Sequence, residues 1–381
     1  MIIPSARRGL LLAITVAAAI GGAFASWHYH RLGLTLSHYD ARGHLVVARR
    51  IFDSITPGWQ QIGAVWLPLP HLLNAIPVQI DGLYRTGASA VAISIASFAI
   101  ACGSTAWIVL ELTASRAGAI AAAAVFALNP NVLYLQATPM TEPLLLALTT
   151  LGIAMLLADL QVCVTCRGTD LQTCRPGVAL ALACLTRYEA WPLTGSALVL
   201  FAWVRRRAGD SWRDALRYAG AIAVYPGLAI VAFAIFSRVV IGQWFVGGDF
   251  FVPENKALGD PVMALKEIGW GTQRLSGTLL VWIGGVGLAM LAGRALLRRE
   301  DARAILPLAM LTMAAIACVA FYKGHPFRIR YMVPLIAAEA VGAGALAGLS
   351  GRGYRVAGSG FWGSGFKNPK NPLPATRTCT C

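Results

Sequence analysis

Charged side chains are scarce in this 381-residue sequence, and acids are scarcer than bases. Asp, Glu, Lys and Arg make up 13% of the positions, with 17 acids against 32 bases, whereas soluble globular domains carry about 25% charged residues. Hydrophobic residues fill 57% of the chain, and its mean hydropathy is +0.63. The composition excludes an ordinary soluble globular protein and predicts a polytopic membrane protein.

The eight cysteines do not form the pattern of a disulfide framework, because none falls in a predicted outer loop. Cys163, Cys166 and Cys174 share one loop that is expected to face the reducing cytoplasm. Zinc would need a fourth ligand there, and no histidine lies on that side, so free thiols are expected. The net charge of +15 comes largely from arginines in short loops, where they set membrane orientation. Nucleic acid is therefore not an expected partner.

Apolar runs define the predicted fold class, an all-α polytopic membrane protein with about ten transmembrane helices. A helix needs about 20 apolar residues to cross the bilayer. The first run looks like a signal peptide but is expected to remain as an uncleaved helix. The ten segments, two of them short, are 9–26, 88–110, 117–128, 143–160, 177–185, 192–204, 218–237, 279–295, 305–321 and 332–349.

The positions of the basic residues predict how these segments are oriented. Arginines in short loops, including the triplet at 205–207, lie on the N-terminal side at nearly every return, so both termini are expected in the cytoplasm. The large loops 27–86 and 238–275 then face outward, as do all six histidines. We expect a transmembrane domain over 1–349 in a bacterial inner membrane. The Gly-, Pro- and base-rich tail, 350–381, is expected to be disordered or an aberrant cytoplasmic terminus.

Polar residues concentrate in the first outer loop, between His38 and His71. Apolar residues within 45–52 recur at helical spacing, which predicts an amphipathic helix on the membrane plane, with its arginines toward the lipid phosphates. Asp40 follows the first helix closely. A carboxylate near the bilayer is costly unless it is paired or functional, so Asp40 is a catalytic candidate, and an ion pair with Arg42 is the alternative.

Three further polar clusters end at the same outer face. Glu142 starts a helix there, where the helix dipole also favours an acid. Guanidinium groups match phosphate oxygens, although anchoring in the headgroup region is an alternative role for them. Transfer of a sugar from a lipid phosphate needs a base for the acceptor and positive charge for the leaving group. The candidate residues for donor-phosphate and substrate binding are His44, Glu142, Arg187, Tyr188, Glu189, His325, Arg328 and Arg330.

Five stretches of the chain resemble the membrane glycosyltransferases of the C superfamily (GT-C), in particular the protein O-mannosyltransferases and the aminoarabinose transferase of lipid A. The resemblance covers roughly 1–349 and rests on YDARGHLVVARRIFDS, WLPLPHLL, NPNVLYLQATPMTEPLLLAL, LTRYEAWP and HPFRIRYMVPL. It implies an inverting transfer from a polyprenyl-phosphate sugar to an extracytoplasmic lipid, glycan or protein, with Asp40 as general base. Relatives commonly carry an Asp-Glu pair where this chain has Asp40-Ala41, so a divalent metal remains an open expectation.

Two other functions fit the composition. A membrane transporter or lipid flippase would use a midplane acid, and Glu339 lies inside the last apolar run. Transporters tend to contain internal repeats, and no clear repeat relates the two halves of this sequence. A non-catalytic membrane scaffold is the third hypothesis.

Overall fold

The computed structural model describes residues 5–162, 171–244 and 251–358. Within these ranges the chain is helical and has no strand. Fifteen α-helices follow one another: α1 Ser5–Arg31, α2 Tyr39–Arg50, α3 Leu69–Asn74, α4 Asp81–Thr86, α5 Ala88–Thr113, α6 Arg116–Ala127, α7 Pro130–Gln136, α8 Glu142–Val162, α9 Leu171–Cys184, α10 Ala190–Ala208, α11 Trp212–Phe236, α12 Pro261–Ser276, α13 Thr278–Leu297, α14 Ala314–Tyr322 and α15 Leu335–Gly358. The 3-10 segments include Arg299–Met313 and the shorter Ile329–Met332.

The described helices form an integral membrane protein. Seven are long and apolar enough to cross a membrane, and α6 with α7, bent by 65° at their junction, would make an eighth span. All ten predicted segments are helical, but α9 is short of a full span and α10 ends in three arginines. The sequence estimate of about ten spans therefore counts two helices that do not reach the usual length or apolarity.

Two differences from the expected organisation concern the second outer loop and the tail. The range 238–275 was expected to be a loop, yet it contains α12, a 16-residue helix. The Asp260 carboxylate caps α12 by accepting from the Val262 and Met263 amides at 2.9 Å. In addition, α15 continues to Gly358, into the segment expected to be disordered. Cys163, Cys166 and the range 359–381 lie outside the described residues.

Glycines set the close packing around α15. A methyl group added at Gly118 of α6 would lie 2.6 Å from the Gly344 carbonyl oxygen, and one added at Gly287 of α13 would overlap the Gly342 carbonyl. Backbones that approach this closely are typical of membrane helices, where small residues let van der Waals contacts form. Helix α15 is therefore held on two sides, and the segment just before its first turn, which carries Arg330, is held with it.

Candidate functional site

The candidate site lies where several helices begin, on one face of the helical bundle. Asp40 is in the first turn of α2, and Glu142 is the first residue of α8. Glu189 immediately precedes α10, and Arg330 lies in the 3-10 segment before α15. Four stretches that are far apart in the sequence thus meet at the start of their helices. The His38 side chain orients the first of them, because its Nδ1 accepts from the Asp40 amide at 3.1 Å.

These side chains form one connected chain of ion pairs, which we call the ion network: Asp40, Arg330, Glu142, Arg187 and Glu189. Arg330 Nη2 donates to the Asp40 carboxylate, and Arg330 Nη1 lies 3.5 Å from Glu142 Oε1. Arg187 Nη1 donates to the same Glu142 oxygen at 3.1 Å, and Arg187 Nη2 donates to Glu189 Oε1 at 2.6 Å. Each arginine therefore joins two carboxylates.

The ion network is buried and carries an excess of negative charge. Asp40 is 2% exposed and Glu142 is fully buried, while three carboxylates face only two guanidinium groups. Glu142 Oε2 is buried and has no hydrogen-bond partner among the described residues. Buried charges are tolerated when they are paired and hydrogen-bonded, so this arrangement depends on both arginines and retains one unused acceptor.

Arg187 is held more completely than Arg330. Its Nη1 also donates to the Thr141 hydroxyl at 3.0 Å, and its Nε donates to Glu189 Oε1 at 3.1 Å. The three guanidinium nitrogens are therefore all engaged with the protein. Beyond its carboxylate contacts, Arg330 approaches the Met140 sulfur at 4.0 Å and lies 5.6 Å from the centre of the Tyr331 ring. Both contacts are weaker than the hydrogen bonds of Arg187, so Arg330 is the arginine freer to turn toward a ligand.

His44 lies one turn after Asp40 on the same face of α2 and forms a pair with His71. Its Nδ1 is 3.1 Å from His71 Nε2, and His71 Nδ1 is 3.2 Å from the Leu67 carbonyl oxygen. His71 Nδ1 must donate to that carbonyl, so in a neutral His71 ring the Nε2 atom accepts from His44 Nδ1. Burial lowers the pKa of His71 to about 4. Burial, then His71 and the two network arginines, lower the pKa of His44 well below its ordinary value.

The neutral state of His44 has a consequence for its expected role. A ring without charge at neutral pH supplies no cation for a donor phosphate. The indole of Trp66 packs on it with ring centroids 4.2 Å apart, so His44 connects α2 to the segment that carries Trp66 and His71. The structure therefore places His44 beside the ion network as a support for α2.

The remaining candidates take different positions. The Tyr188 hydroxyl donates to the Ala64 carbonyl oxygen at 2.8 Å, and burial raises the pKa of this phenol to about 12. Tyr188 thereby ties the first loop to the ion network. His325 lies outside the network, with its ring 5.5 Å from the Tyr331 ring, and Arg328 is exposed. The predicted basic cluster is thus divided: Arg330 points inward and Arg328 outward.

Sequence reasoning missed the partner of Asp40. The predicted alternative was an ion pair with Arg42, but the Arg42 Nε donates to the Leu36 carbonyl oxygen at 2.7 Å. Arg330, 290 residues away, takes that place, and no local pattern signals such a pair. Arg49 was expected to face lipid phosphates; instead it donates to Asp53 and Asp81, both at 2.7 Å.

The residues at the site do not fit a divalent metal. Within the described ranges, no group of three or more His, Cys, Asp and Glu side chains converges on one point. The Arg330 guanidinium stands between Asp40 and Glu142, in the position that a bridging cation would need.

Comparison with known proteins identifies the fold. The oligosaccharyltransferase of Archaeoglobus fulgidus in its apo form matches with a TM-score of 0.54 and 14% identity, over 91% of this chain and 52% of that protein. AglB, the archaeal oligosaccharyltransferase of the same organism in complex with an inhibitory peptide and a dolichol-phosphate, matches with a TM-score of 0.53 and 14% identity, over 95% and 53%. No protein-family model and no curated protein matches the chain.

The chain therefore has the fold of an archaeal oligosaccharyltransferase and spans about half the length of that protein. This agrees with the fold implied by the GT-C resemblance. The narrower resemblance to O-mannosyltransferases and the aminoarabinose transferase stays a prediction, because a structural match at 14% sequence identity supports a shared fold and does not establish a shared function.

Proposed function

We propose that this protein is an inverting glycosyltransferase of the inner membrane. It moves a sugar from a polyprenyl-phosphate donor to a lipid, glycan or protein acceptor on the extracytoplasmic face. The observation that carries the proposal is Asp40, a buried carboxylate at a helix start, paired with an arginine that also reaches Glu142. The shared fold with a protein solved in complex with a dolichol-phosphate supports a lipid-phosphate donor.

The geometry supports a division of work between the two network arginines. Arg187 is fully engaged by Thr141, Glu142 and Glu189, so its role is to hold the carboxylates in place. Arg330 has the less complete set of protein contacts. A donor phosphate competes for Arg330, because a guanidinium binds phosphate oxygens as readily as carboxylate oxygens. Movement of Arg330 onto the phosphate, with Arg328 as a second cation, releases the Asp40 carboxylate.

The released Asp40 then serves as general base. It takes the proton of the acceptor nucleophile while that nucleophile attacks the anomeric carbon from the face opposite the phosphate. The new bond to the acceptor forms as the bond to the phosphate oxygen breaks, which inverts the configuration. The lipid phosphate leaves as an anion stabilised by the guanidinium charge, so no general acid is needed.

The test uses purified protein, a panel of radiolabelled polyprenyl-phosphate sugars and a cell-envelope extract as acceptor. General-base catalysis contributes about 10² to 10⁴ in rate, so Asp40→Asn should lower label transfer by that factor. The matched control is Asp53→Asn, which removes an exposed acid of the same loop that pairs with Arg49. If the folded Asp40→Asn protein transfers label as fast as the wild type, Asp40 is not the general base.

The alternative function, transport of a solute or lipid, is favoured by Glu339. This acid lies inside α15 and is only 6% exposed, and an acid within a membrane helix is costly unless it has a role. Flux that is lost in Glu339→Gln and kept in Asp40→Asn, without label transfer by the wild type, would support transport. A folded protein with neither flux nor lipid-sugar binding would point to a scaffold.

A further inference from the structure

A cavity lined by arginines and apolar side chains lies at the far end of α10, away from the ion network. It has a volume of about 510 Å³, within the range of small-molecule sites. The 19 residues of α10 span roughly 28 Å at 1.5 Å per residue, which separates the cavity from Glu189 at the other end of the helix. The cavity lies where α13, one of the helices long and apolar enough to span a membrane, ends at Leu297, and thus at a membrane boundary. Its lining includes Trp203, Arg206, Arg207, Trp212, Leu297 and Arg299.

Three arginines and no acid line this cavity among the described residues. Three acids of the neighbouring segments have other partners: Asp210 pairs with Arg205 at 2.7 Å, Asp301 pairs with Arg294 at 2.9 Å, and Asp214 accepts from the Ser211 hydroxyl at 2.6 Å. Glu300, which follows Arg299, is exposed. Within the part of the chain that the structure describes, no ion pair joins Arg206, Arg207 or Arg299 to a carboxylate. A ligand that occupies the cavity should carry negative charge.

Arg207 is fixed in position by the end of α13. Its Nη2 donates to the Leu296 carbonyl oxygen at 3.0 Å, and its own carbonyl accepts from Arg299 Nε. Its guanidinium lies 5.3 Å from the centre of the Trp203 ring, and its Nε is buried without a hydrogen-bond partner. These contacts hold Arg207 and Arg299 together at the end of α13.

Two of the side chains that line the cavity are apolar and largely exposed. Leu297 is 86% exposed and Trp212 is 53% exposed. Tryptophan is enriched at the level of the lipid headgroups, and large exposed leucines at a membrane boundary contact acyl chains. A ligand with an anionic head and an apolar tail satisfies both parts of the surface.

We propose that this cavity binds the phosphate headgroup of an anionic phospholipid, with its acyl chains along Leu297 and Trp212. Guanidinium forks hold the phosphate oxygens, and basic pockets between membrane helices bind such headgroups. The site is independent of the proposed glycosyl transfer, since it lies at the other end of α10 and uses none of the ion network.

The test measures binding of phosphatidylglycerol and phosphatidylcholine to the full-length protein by native mass spectrometry, with inorganic phosphate as a separate competitor. We expect phosphatidylglycerol to be preferred, and Arg207→Gln to weaken its binding about tenfold, as loss of a charge-assisted hydrogen bond predicts. Because Arg207 also holds α13, Arg206→Gln is the second variant. The Arg206 side chain is exposed and, among the residues that the structure describes, makes one long hydrogen bond of 3.5 Å, to the Asp210 carbonyl oxygen.

The control is Arg213→Gln, an exposed arginine of α11 outside the cavity lining, which should leave phosphatidylglycerol binding unchanged. Three results would overturn the proposal. The first is equal binding of the two lipids, and the second is equal loss of binding in the Arg213 and Arg206 variants. The third is displacement of the lipid by inorganic phosphate at a matching concentration, which would identify free phosphate as the ligand.

Discussion

Replacing Arg187 by methionine should destabilise the folded protein strongly. Among the described residues, the substitution leaves Glu189, which is 7% exposed at its side chain, without a guanidinium partner, and leaves the fully buried Glu142 with the 3.5 Å approach of Arg330 Nη1 alone. Removing one member of a buried ion pair costs about 3 to 5 kcal/mol, because the other charge stays buried and uncompensated. That corresponds to a change of about two to three and a half orders of magnitude in the folding equilibrium.

The assay is the unfolding midpoint of wild type and Arg187→Met in the same detergent. Arg49→Met provides the matched control, because Arg49 also joins two carboxylates, Asp53 and Asp81, which are 59% and 63% exposed at their side chains. Exposed ion pairs contribute little, so this variant should unfold almost as the wild type does. If Arg187→Met unfolds no earlier than Arg49→Met, the ion network is not the buried, mutually dependent unit described above.

Two further predictions concern packing and pH. Gly287→Ala places a methyl group onto the Gly342 carbonyl and should lower the free energy of unfolding by about 1 to 3 kcal/mol. The control is Gly285→Ala, which should be neutral because no atom lies within 4 Å of the added methyl group. Equal unfolding midpoints for the two variants would contradict the close contact. His44 and His71 have a lowered pKa through burial, so the unfolded chain binds more protons below pH about 6.5. The free energy of unfolding should reach its full value above that pH and decrease toward pH 4, by roughly 3 kcal/mol for His71 alone. A melting temperature that does not change between about pH 7 and pH 4 would contradict this prediction.

The membrane helices were predictable because the bilayer leaves the backbone few choices. A lipid-exposed segment must satisfy its amide and carbonyl groups internally, so each of the ten apolar runs became a helix. Helix α12 was missed because it lies in a polar loop, although Asp260 followed by Pro261 is a helix-start signal that was present in the sequence. The start of α12 could therefore have been predicted from its capping residue.

The members of the ion network were recognisable, but their pairing was not. Asp40, Glu142, Arg187, Glu189 and Arg330 were each selected from local patterns. Their contacts depend on how α15 packs against α6 and α13, which is a property of the assembled helices. The neutral state of His44 has the same origin, since its pKa is lowered first by burial. Chemistry that arises from tertiary packing has no signature in a single stretch of sequence.

The span of the ion network along the chain has a consequence for synthesis and insertion. Glu142 meets Arg187 after 45 residues, whereas Asp40 meets Arg330 only after 290. At about 5 to 20 residues per second, the nascent chain carries Glu142 without Arg187 for roughly 2 to 9 s. It carries Asp40 without Arg330 for roughly 15 to 60 s. A chain whose synthesis stops before Arg330 therefore leaves the Asp40 carboxylate without its guanidinium partner.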